Sequence, residues 1–310
     1  MSFSSPWWLP GGHLQTIIPT LFPQPRVALR RERWDTPDGD FIDVDFCGDP
    51  EAKTTLVLFH GLEGGSDSHY ARALAAHAAQ LRWRLALPHF RGCSGEINRR
   101  PRAYHSGDSE EIDWVLKRFG VPVHAVGISL GGNALLKWLG ERGAGARALV
   151  RRAAAVSAPI DLSAAGNALD RGLNRLVYTR HFLSTLKPKS LAKLELFPGL
   201  FDAGKVRTAR TFREFDGLVT APLHGFRDTD HYWASASCGP HLEGIRVPTL
   251  LLNARNDPFL PEQALLVATQ KAARCVVLEF PRTGGHAGFL AGPFPGQQWL
   301  PNRLFEFLTT

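Results

Sequence analysis

The sequence has few cysteines, and none of them has metal-binding or redox spacing. Its 310 residues include only Cys47, Cys93, Cys238 and Cys275, which lie far apart and form no C-x-x-C pair. This excludes a zinc site or a dithiol redox site built on paired cysteines. A chain of this length can bury a large core, so it needs no disulfide or metal to fold. We therefore expect four reduced, buried thiols.

Long runs of basic charge are also missing. The chain carries 36 Lys and Arg against 29 Asp and Glu, a net charge of +7, but no basic run reaches five residues. Nucleic-acid binding would gather this charge on one stripe, so we expect no nucleic-acid partner. A solvated basic surface is the main interpretation, and an anionic partner is the alternative. Neither a G-K-[ST] phosphate loop nor an H-E-x-x-H zinc motif occurs, so we predict no cofactor and no metal.

Residues 1–25 contain no charged side chain. They also contain prolines at 6, 10, 19, 23 and 25, which we expect to break any helix. A membrane-spanning helix needs about 20 mostly apolar residues without such breaks. A signal peptide would need a basic start and a cleavage site of small residues. We therefore expect an N-terminal arm packed on a soluble, cytoplasmic protein. A weak interfacial anchor, with peripheral contact to a membrane, is the alternative.

The remaining pattern predicts an α/β protein with a mostly parallel central sheet and helices on both faces. Two strands, at 27–34 and 41–46, come first, with the turn Pro37-Asp38-Gly39 between them. Strands predicted at 54–59, 84–87, 121–128, 150–158, 247–253 and 275–280 then alternate with helices at 67–80, 108–118, 130–142, 261–271 and 297–308. Such alternation is typical of parallel strands buried on both faces.

The alternation lapses over 161–239, which we interpret as a helical lid inserted into a core made of 1–160 and 240–310. Loops at the carboxyl ends of parallel strands surround the ligand crevice, so an insertion between two late strands can cover it. A purely structural insert is the alternative. Its Leu and Phe residues between 191 and 201 suit an apolar acyl pocket and internal lid packing equally well.

The segment 127–131 reads G-x-S-x-G between a predicted strand and a predicted helix. This is the setting of a nucleophile elbow, in which a tight turn presents the hydroxyl of Ser129 above the sheet. A serine needs a base to take its proton. Since nucleophile, acid and base follow in that order along the chain in this arrangement, His286, in a glycine-flanked loop after the last predicted strand, is the candidate base.

Asp257, just beyond the strand at 247–253, is the candidate acid that orients His286. Asp161 is the alternative acid, whereas Glu262 is expected to start a helix and Glu279 to lie within a strand. The oxyanion needs preformed N–H donors, for which the backbone amides of Leu130 and Leu62 are the candidates.

The loop after the predicted strand at 84–87 holds the weaker candidates for substrate contact. Arg91, Tyr104 and His105 could bind polar groups of a substrate, and scaffolding of the loop by an arginine–carboxylate pair is the alternative. We expect His60, which precedes the candidate oxyanion amide, to brace its loop rather than act as a second base.

Several strings resemble the YheT-like family of α/β-hydrolases, which includes the animal α/β-hydrolase-domain proteins one to three. They are GHLQTI at 12–17, HGLEG at 60–64, FRGCSGE at 90–96, TAPLHGF at 220–226 and NDPF at 256–259. The resemblance implies a carboxylic ester hydrolase acting through Ser129, Asp257 and His286. Some members act on lipid esters and carry an N-terminal membrane anchor, which we do not carry over to this chain.

The expected function is hydrolysis of a small-molecule or lipid ester through an acyl-enzyme. Two alternatives remain at this stage. The same triad could pass the acyl group to an alcohol or thiol, since hydrolases and acyltransferases share this machinery. A hydrolase fold could also serve as a non-catalytic ligand receptor. Neither the natural substrate nor the oligomeric state follows from the sequence.

Overall fold

The structure, a computed structural model, describes residues 3–22 and 24–310; Met1, Ser2 and Pro23 of the predicted N-terminal arm lie outside the described residues. The strands are β1 Arg30–Asp35, β2 Phe41–Cys47, β3 Thr55–Phe59, β4 Arg84–Pro88, β5 Val123–Ile128, β6 Val150–Val156, β7 Thr249–Leu252, β8 Val276–Glu279, β9 Leu290–Ala291 and β10 Gln297–Gln298. The helices are α1 Gly11–Leu21, α2 His69–Gln80, α3 Ser109–Lys117, α4 Leu130–Arg142, α5 Leu162–Leu169, α6 Gly172–Asn174, α7 Arg180–Leu196, α8 Ala203–Thr208, α9 Phe212–Phe215, α10 Ala221–Leu223, α11 Thr229–Ala236, α12 Glu262–Ala268 and α13 Trp299–Thr309.

Eight strands form one sheet in the order β1-β2-β4-β3-β5-β6-β7-β8. The pairs β1–β2 and β2–β4 are antiparallel, and all later pairs are parallel, which confirms the predicted fold class. Side chains alternate between the two faces of a strand. Along β3, Val57 and Phe59 therefore pack with α3 and α4, whereas Leu56 and Leu58 pack with α2 and α13.

The second strand carries buried charge. Every residue of β2 is buried, including Asp43 and Asp45. These two side chains lie on one face of the sheet, and the apolar side chains that alternate with them lie on the other. Arg33 and Arg31, on the neighbouring strand, donate to these two carboxylates, and His89 also pairs with Asp45 at 2.8 Å. Buried carboxylates are tolerated because they are paired in this way.

The prediction that proline breaks every helix of the N-terminal arm is wrong. Residues 11–21 form α1, with Pro19 inside it. Proline lacks an N–H, so the carbonyl of Gln15, four residues earlier, loses its helical partner. The backbone of Gly288 approaches this carbonyl so closely that a Cβ on Gly288 would lie 1.9 Å from the oxygen. Helix α1, with its internal proline, therefore packs directly against the 284–288 loop.

The segment between β6 and β7 is largely helical and includes α5 to α11. Two of its turns, Arg175–Thr179 and Asp216–Thr220, are π-helical. It packs internally through two clusters, one around Tyr232 and Trp233 and one around Phe215 and Val219.

The four cysteines are free thiols, but only Cys47 and Cys238 are buried; Cys93 and Cys275 are partly exposed, contrary to the expectation that all four are buried. No helix in the described residues has the length and hydrophobicity needed to cross a membrane.

Candidate active site

Ser129 occupies the sharp turn between β5 and α4. Its φ of 53° lies in the left-handed region, which a residue with a side chain adopts only under strain. The neighbouring positions have no room for a side chain: a Cβ on Gly127 would lie 2.4 Å from the carbonyl oxygen of Gly131, and a Cβ on Gly131 would lie 2.4 Å from that of Phe59. The glycine spacing thus lets the turn close against β3 while the hydroxyl stays accessible.

His286 reaches Ser129 from the loop after β8. Its Nε2 lies 2.9 Å from the Ser129 Oγ, and its Nδ1 lies 2.9 Å from the Oδ2 of Asp257. An Nδ1–H that donates to Asp257 leaves Nε2 free to accept the serine proton. The ring of Phe259 stacks on the imidazole at 3.9 Å between centroids, which limits its rotation.

Asp257 is buried in the turn after β7, where its Oδ1 also accepts the N–H of Phe259 at 2.8 Å. The other carboxylates considered from the sequence have different partners. Asp161 caps the N-terminus of α5 by accepting the N–H of Ala164, Glu262 begins α12, and Glu279 pairs with Arg303. The structure therefore brings Asp257, and not these residues, to His286.

Helix α1 holds the loops that carry the candidate base His286 and the candidate acid Asp257. The Thr16 hydroxyl accepts the backbone N–H of His286 at 2.9 Å. The Gln15 side-chain oxygen accepts the N–H of Gly284 at 2.8 Å and the amide of Asn256 at 2.9 Å. Sequence reasoning assigned no role to Gln15 or Thr16. The available signal was an adjacent pair of polar side chains within a segment that contains no Asp, Glu, Lys or Arg.

The loop after β3 lies directly against the serine turn. A Cβ on Gly61 would lie 3.2 Å from the Cβ of Ser129, and the N–H of Gly131 donates to the carbonyl of His60. Within residues 3–22 and 24–310, the backbone N–H groups of Leu62 and Leu130 donate to no protein acceptor. Both amides therefore remain available beside the hydroxyl.

His60 itself is enclosed by this loop. Its Nε2 accepts the N–H of Phe90 at 3.0 Å, and its Nδ1–H donates to the carbonyl of Gly61 at 2.7 Å. Burial lowers the pKa of His60 to about 3, so the ring is neutral at ordinary pH. Both ring nitrogens brace the loop.

A cavity of about 160 Å³ extends from Ser129 and His286 beneath the helical segment. Its lining is mostly apolar and includes Leu62, Leu130, Leu162, Leu169, Phe182, Leu186, Phe212, Phe215, Val219, Leu223, Trp233 and Phe259. The Leu and Phe residues between 191 and 201, which were candidates for the pocket, do not line it. Leu191 and Phe201 pack inside the helical segment instead, and Leu196 is exposed.

The three weaker candidates for substrate contact also border this cavity, but each has protein partners. Arg91 is buried and donates to Asp40, Asp38 and Glu111, which favours the scaffolding interpretation. Tyr104 and His105 have similar bonds: the Tyr104 hydroxyl donates to Glu63 at 2.8 Å, and the Nδ1 of His105 accepts the N–H of Gly107 at 3.2 Å.

No group of three or more histidine, cysteine or acidic side chains in the described part of the chain has a spacing that could hold a metal ion.

Comparison with known proteins assigns the family. A model described as the alpha/beta hydrolase fold matches residues 54–293, and the chain belongs to this family. It is 39% identical to YheT of Escherichia coli (strain K12), across 96% of this chain and 90% of that protein. It is 31% identical to the phospholipase ABHD3 of Mus musculus, across 94% of this chain and 74% of that protein. Within the family, the chain is a member of the YheT-like group, and it is an ester-hydrolysing enzyme.

The solved structure of an esterase from Exiguobacterium antarcticum has the same fold. Its TM-score is 0.61 at 16% identity, and the match covers 91% of this chain and all of that chain. At this identity the likeness bears on the fold alone.

Proposed function

We propose that the protein hydrolyses carboxylic esters through an acyl-enzyme formed on Ser129. The observation that carries this proposal is the chain of hydrogen bonds from Ser129 through His286 to Asp257 at the mouth of an apolar cavity. A serine hydroxyl beside a base that is itself oriented by a buried acid is the arrangement that activates a nucleophile.

The reaction proceeds in two halves. The Ser129 oxygen attacks the ester carbon while its proton passes to the Nε2 of His286, and the amides of Leu62 and Leu130 hold the resulting oxyanion. The imidazolium, stabilised by Asp257, then protonates the departing alkoxide. Water repeats the same steps on the acyl-enzyme and releases the acid.

The Ser129→Ala variant tests this mechanism. Its kcat/KM on p-nitrophenyl esters should fall by at least about a thousandfold, and a fluorophosphonate should no longer label the protein. Ser184→Ala, on the exposed face of α7, is the matched control and should retain both activities. Unchanged turnover in the Ser129 variant would reject the mechanism.

We propose in addition that residues 161–239 act as a lid whose inner face receives the acyl chain, over a core of residues 1–160 and 240–310. Most of the apolar cavity wall comes from this segment. An ester panel of graded chain length should therefore show a rise in kcat/KM with acyl length until the cavity is filled. A flat profile would argue against the assignment.

The surface beside the site supports peripheral contact with an anionic lipid bilayer. Trp7 is 92% exposed and Leu176 68% exposed, and a hydrogen bond between His13 and Tyr178 joins their two segments at 3.1 Å. Residues 171–188 contain Arg171, Arg175, Arg180 and Lys187 and no acidic residue. Apolar side chains combined with basic ones suit an anionic interface, whereas two copies of this surface would repel each other.

Vesicle sedimentation tests this contact. Wild-type protein should bind vesicles containing phosphatidylglycerol more than pure phosphatidylcholine vesicles, and Leu176→Ser should bind less. Val121→Ser is the control, because Val121 is 56% exposed but precedes the amino end of β5, whereas Ser129 follows the carboxyl end of that strand. Equal binding by all three proteins, or dimerisation lost only in Leu176→Ser, would contradict the proposal.

A further inference from the structure

Glu63 follows the candidate oxyanion residue Leu62 and has an unusual backbone conformation. Its φ of 55° lies in the left-handed region, which glycine adopts freely and a residue with a side chain does not. Glycines stand close by at 61, 64 and 65, yet this position holds a glutamate. Contacts of the side chain must therefore compensate for the strained backbone.

Those contacts come from two distant parts of the chain. The side chain of Glu63 is only 7% exposed. Its carboxylate accepts the Tyr104 hydroxyl at 2.8 Å, and the same hydroxyl accepts the backbone N–H of Glu63 at 2.9 Å. The ammonium of Lys189 lies 2.9 Å from the other carboxylate oxygen. Side chain and backbone of Glu63 are thus held together, immediately after Leu62.

Lys189 belongs to α7, in the segment that covers the cavity, and a second lysine fixes its position. One turn later on α7, the Lys193 ammonium is buried and donates to the side chain of Asn98 and the carbonyl of Arg100, both at 2.9 Å. Residues four apart lie on the same face of a helix. Helix α7 therefore binds the core through Lys193, and one turn earlier it binds the loop that carries Leu62 through Lys189.

We propose that Lys189 is a positioning residue which, through its ion pair with Glu63, couples the seating of α7 to the orientation of the Leu62 amide. This inference rests on the proposed serine mechanism. With α7 in place, Glu63 is held by both Tyr104 and Lys189, and the Leu62 N–H is directed at the site of the oxyanion. Without the ammonium, the ion pair with Glu63 is lost and the strained backbone can relax.

The proposal predicts a loss specific to the transition state. In Lys189→Met, kcat on a p-nitrophenyl ester should fall about tenfold, less than the loss on deleting an oxyanion donor, because the amide is displaced and not removed. KM should change less than kcat. Lys189→Arg, which keeps the charge, should restore most of the rate. Lys187→Met is the matched control on the same helix, since Lys187 donates only to the carbonyl of Arg207 in the described chain.

A pair of inhibitors separates positioning from other roles. A trifluoromethyl ketone adds Ser129 to form a hemiketal oxyanion, whereas the corresponding methyl ketone binds mainly as the ground state. Lys189→Met should weaken inhibition by the first about tenfold and leave that by the second unchanged. Equal weakening of both would mean that Lys189 contacts the substrate directly. No weakening of either would mean that Lys189 has no part in catalysis. Both results overturn the proposal.

Ser129→Ala, assayed in parallel, separates this test from that of the mechanism. If Ser129→Ala keeps its activity, the serine mechanism fails. If Ser129→Ala is inactive, while Lys189→Met keeps the wild-type kcat and the wild-type inhibition by both ketones, only the role of Lys189 fails. Thermal unfolding of each variant shows that the comparison is made between folded proteins.

Discussion

Replacing Gln15 by methionine tests how far α1 supports the active site. The Gln15 side chain is buried and makes three hydrogen bonds. Its oxygen accepts from Gly284 and Asn256, and its nitrogen donates to the carbonyl of Leu9 at 2.8 Å. Methionine has a similar length and keeps the apolar contacts, so the variant removes the hydrogen bonds with little change in volume.

The expected loss follows from these three bonds. Removing them leaves two buried partners and the partly buried amide of Asn256 unsatisfied. At about 1 kcal/mol per group, the free energy of unfolding should fall by about 3 kcal/mol. Activity should fall as well, because Gly284 and Asn256 stand next to the segments that carry His286 and Asp257. A displacement of about 1 Å at a reacting group can cost about a hundredfold in rate. Since Thr16 still holds the His286 backbone, we expect a loss in kcat/KM of about 10- to 100-fold.

Urea unfolding and p-nitrophenyl ester hydrolysis measure the two quantities on the same preparation. Gln263→Met is the control, because Gln263 is exposed on α12 and should change neither. A Gln15→Met protein whose unfolding free energy differs from the wild type by less than about 1 kcal/mol, with kcat/KM within about twofold, would refute the role assigned to α1.

Two further substitutions test other parts of the fold. Gly131→Ala should lose about 3 kcal/mol of unfolding free energy by urea titration, because the new Cβ would lie 2.4 Å from the Phe59 carbonyl oxygen. Gly145→Ala should be near neutral, because its new Cβ would lie 3.6 Å from the Arg142 side chain, an ordinary contact distance. Burial raises the pKa of Asp216 to about 6, so between about pH 4 and 6 the folded state keeps a proton that the unfolded chain has lost. The contribution of Asp216 to the free energy of unfolding should therefore fall by about 3 kcal/mol as pH rises through this window. Other carboxylates titrate in both proteins, so the test is the difference in unfolding free energy between wild type and Asp216→Asn, which should change by this amount across the window; a difference that is independent of pH would contradict the assigned protonation.

The sequence predicts the features that depend on patterns within a few neighbouring residues. The alternation of strands and helices predicted the parallel sheet, because strands buried on both faces and the helices between them have distinct periodicities. The glycines at 127 and 131 predicted the tight turn at Ser129, because the need for glycine arises within a few residues.

Features that depend on distant partners could not be reached in this way. Helix α1 contains Pro19 and packs against Gly288, far along the chain. Asp43 and Asp45 are buried because arginines on the neighbouring strand pair with them. The contact between Glu63 and Lys189 joins residues 126 positions apart. No local sequence pattern predicts such pairs, because each member by itself is a residue type that is usually found on the surface.

In the proposed mechanism, these distant contacts hold each candidate reacting group from a different part of the molecule. The sheet fixes Ser129 through its strained turn, and α1 fixes the loop of His286 through Thr16. Helix α7 grips the loop that carries Leu62 through Lys189. Since the rate depends on the mutual placement of these groups, loosening α1 should disturb proton transfer, whereas loosening α7 should disturb oxyanion stabilisation. In Gln15→Met, the factor by which inhibition by the trifluoromethyl ketone weakens should then be no larger than the factor by which the reaction with a fluorophosphonate slows. In Lys189→Met, the weakening of inhibition by the ketone should be the larger of the two factors.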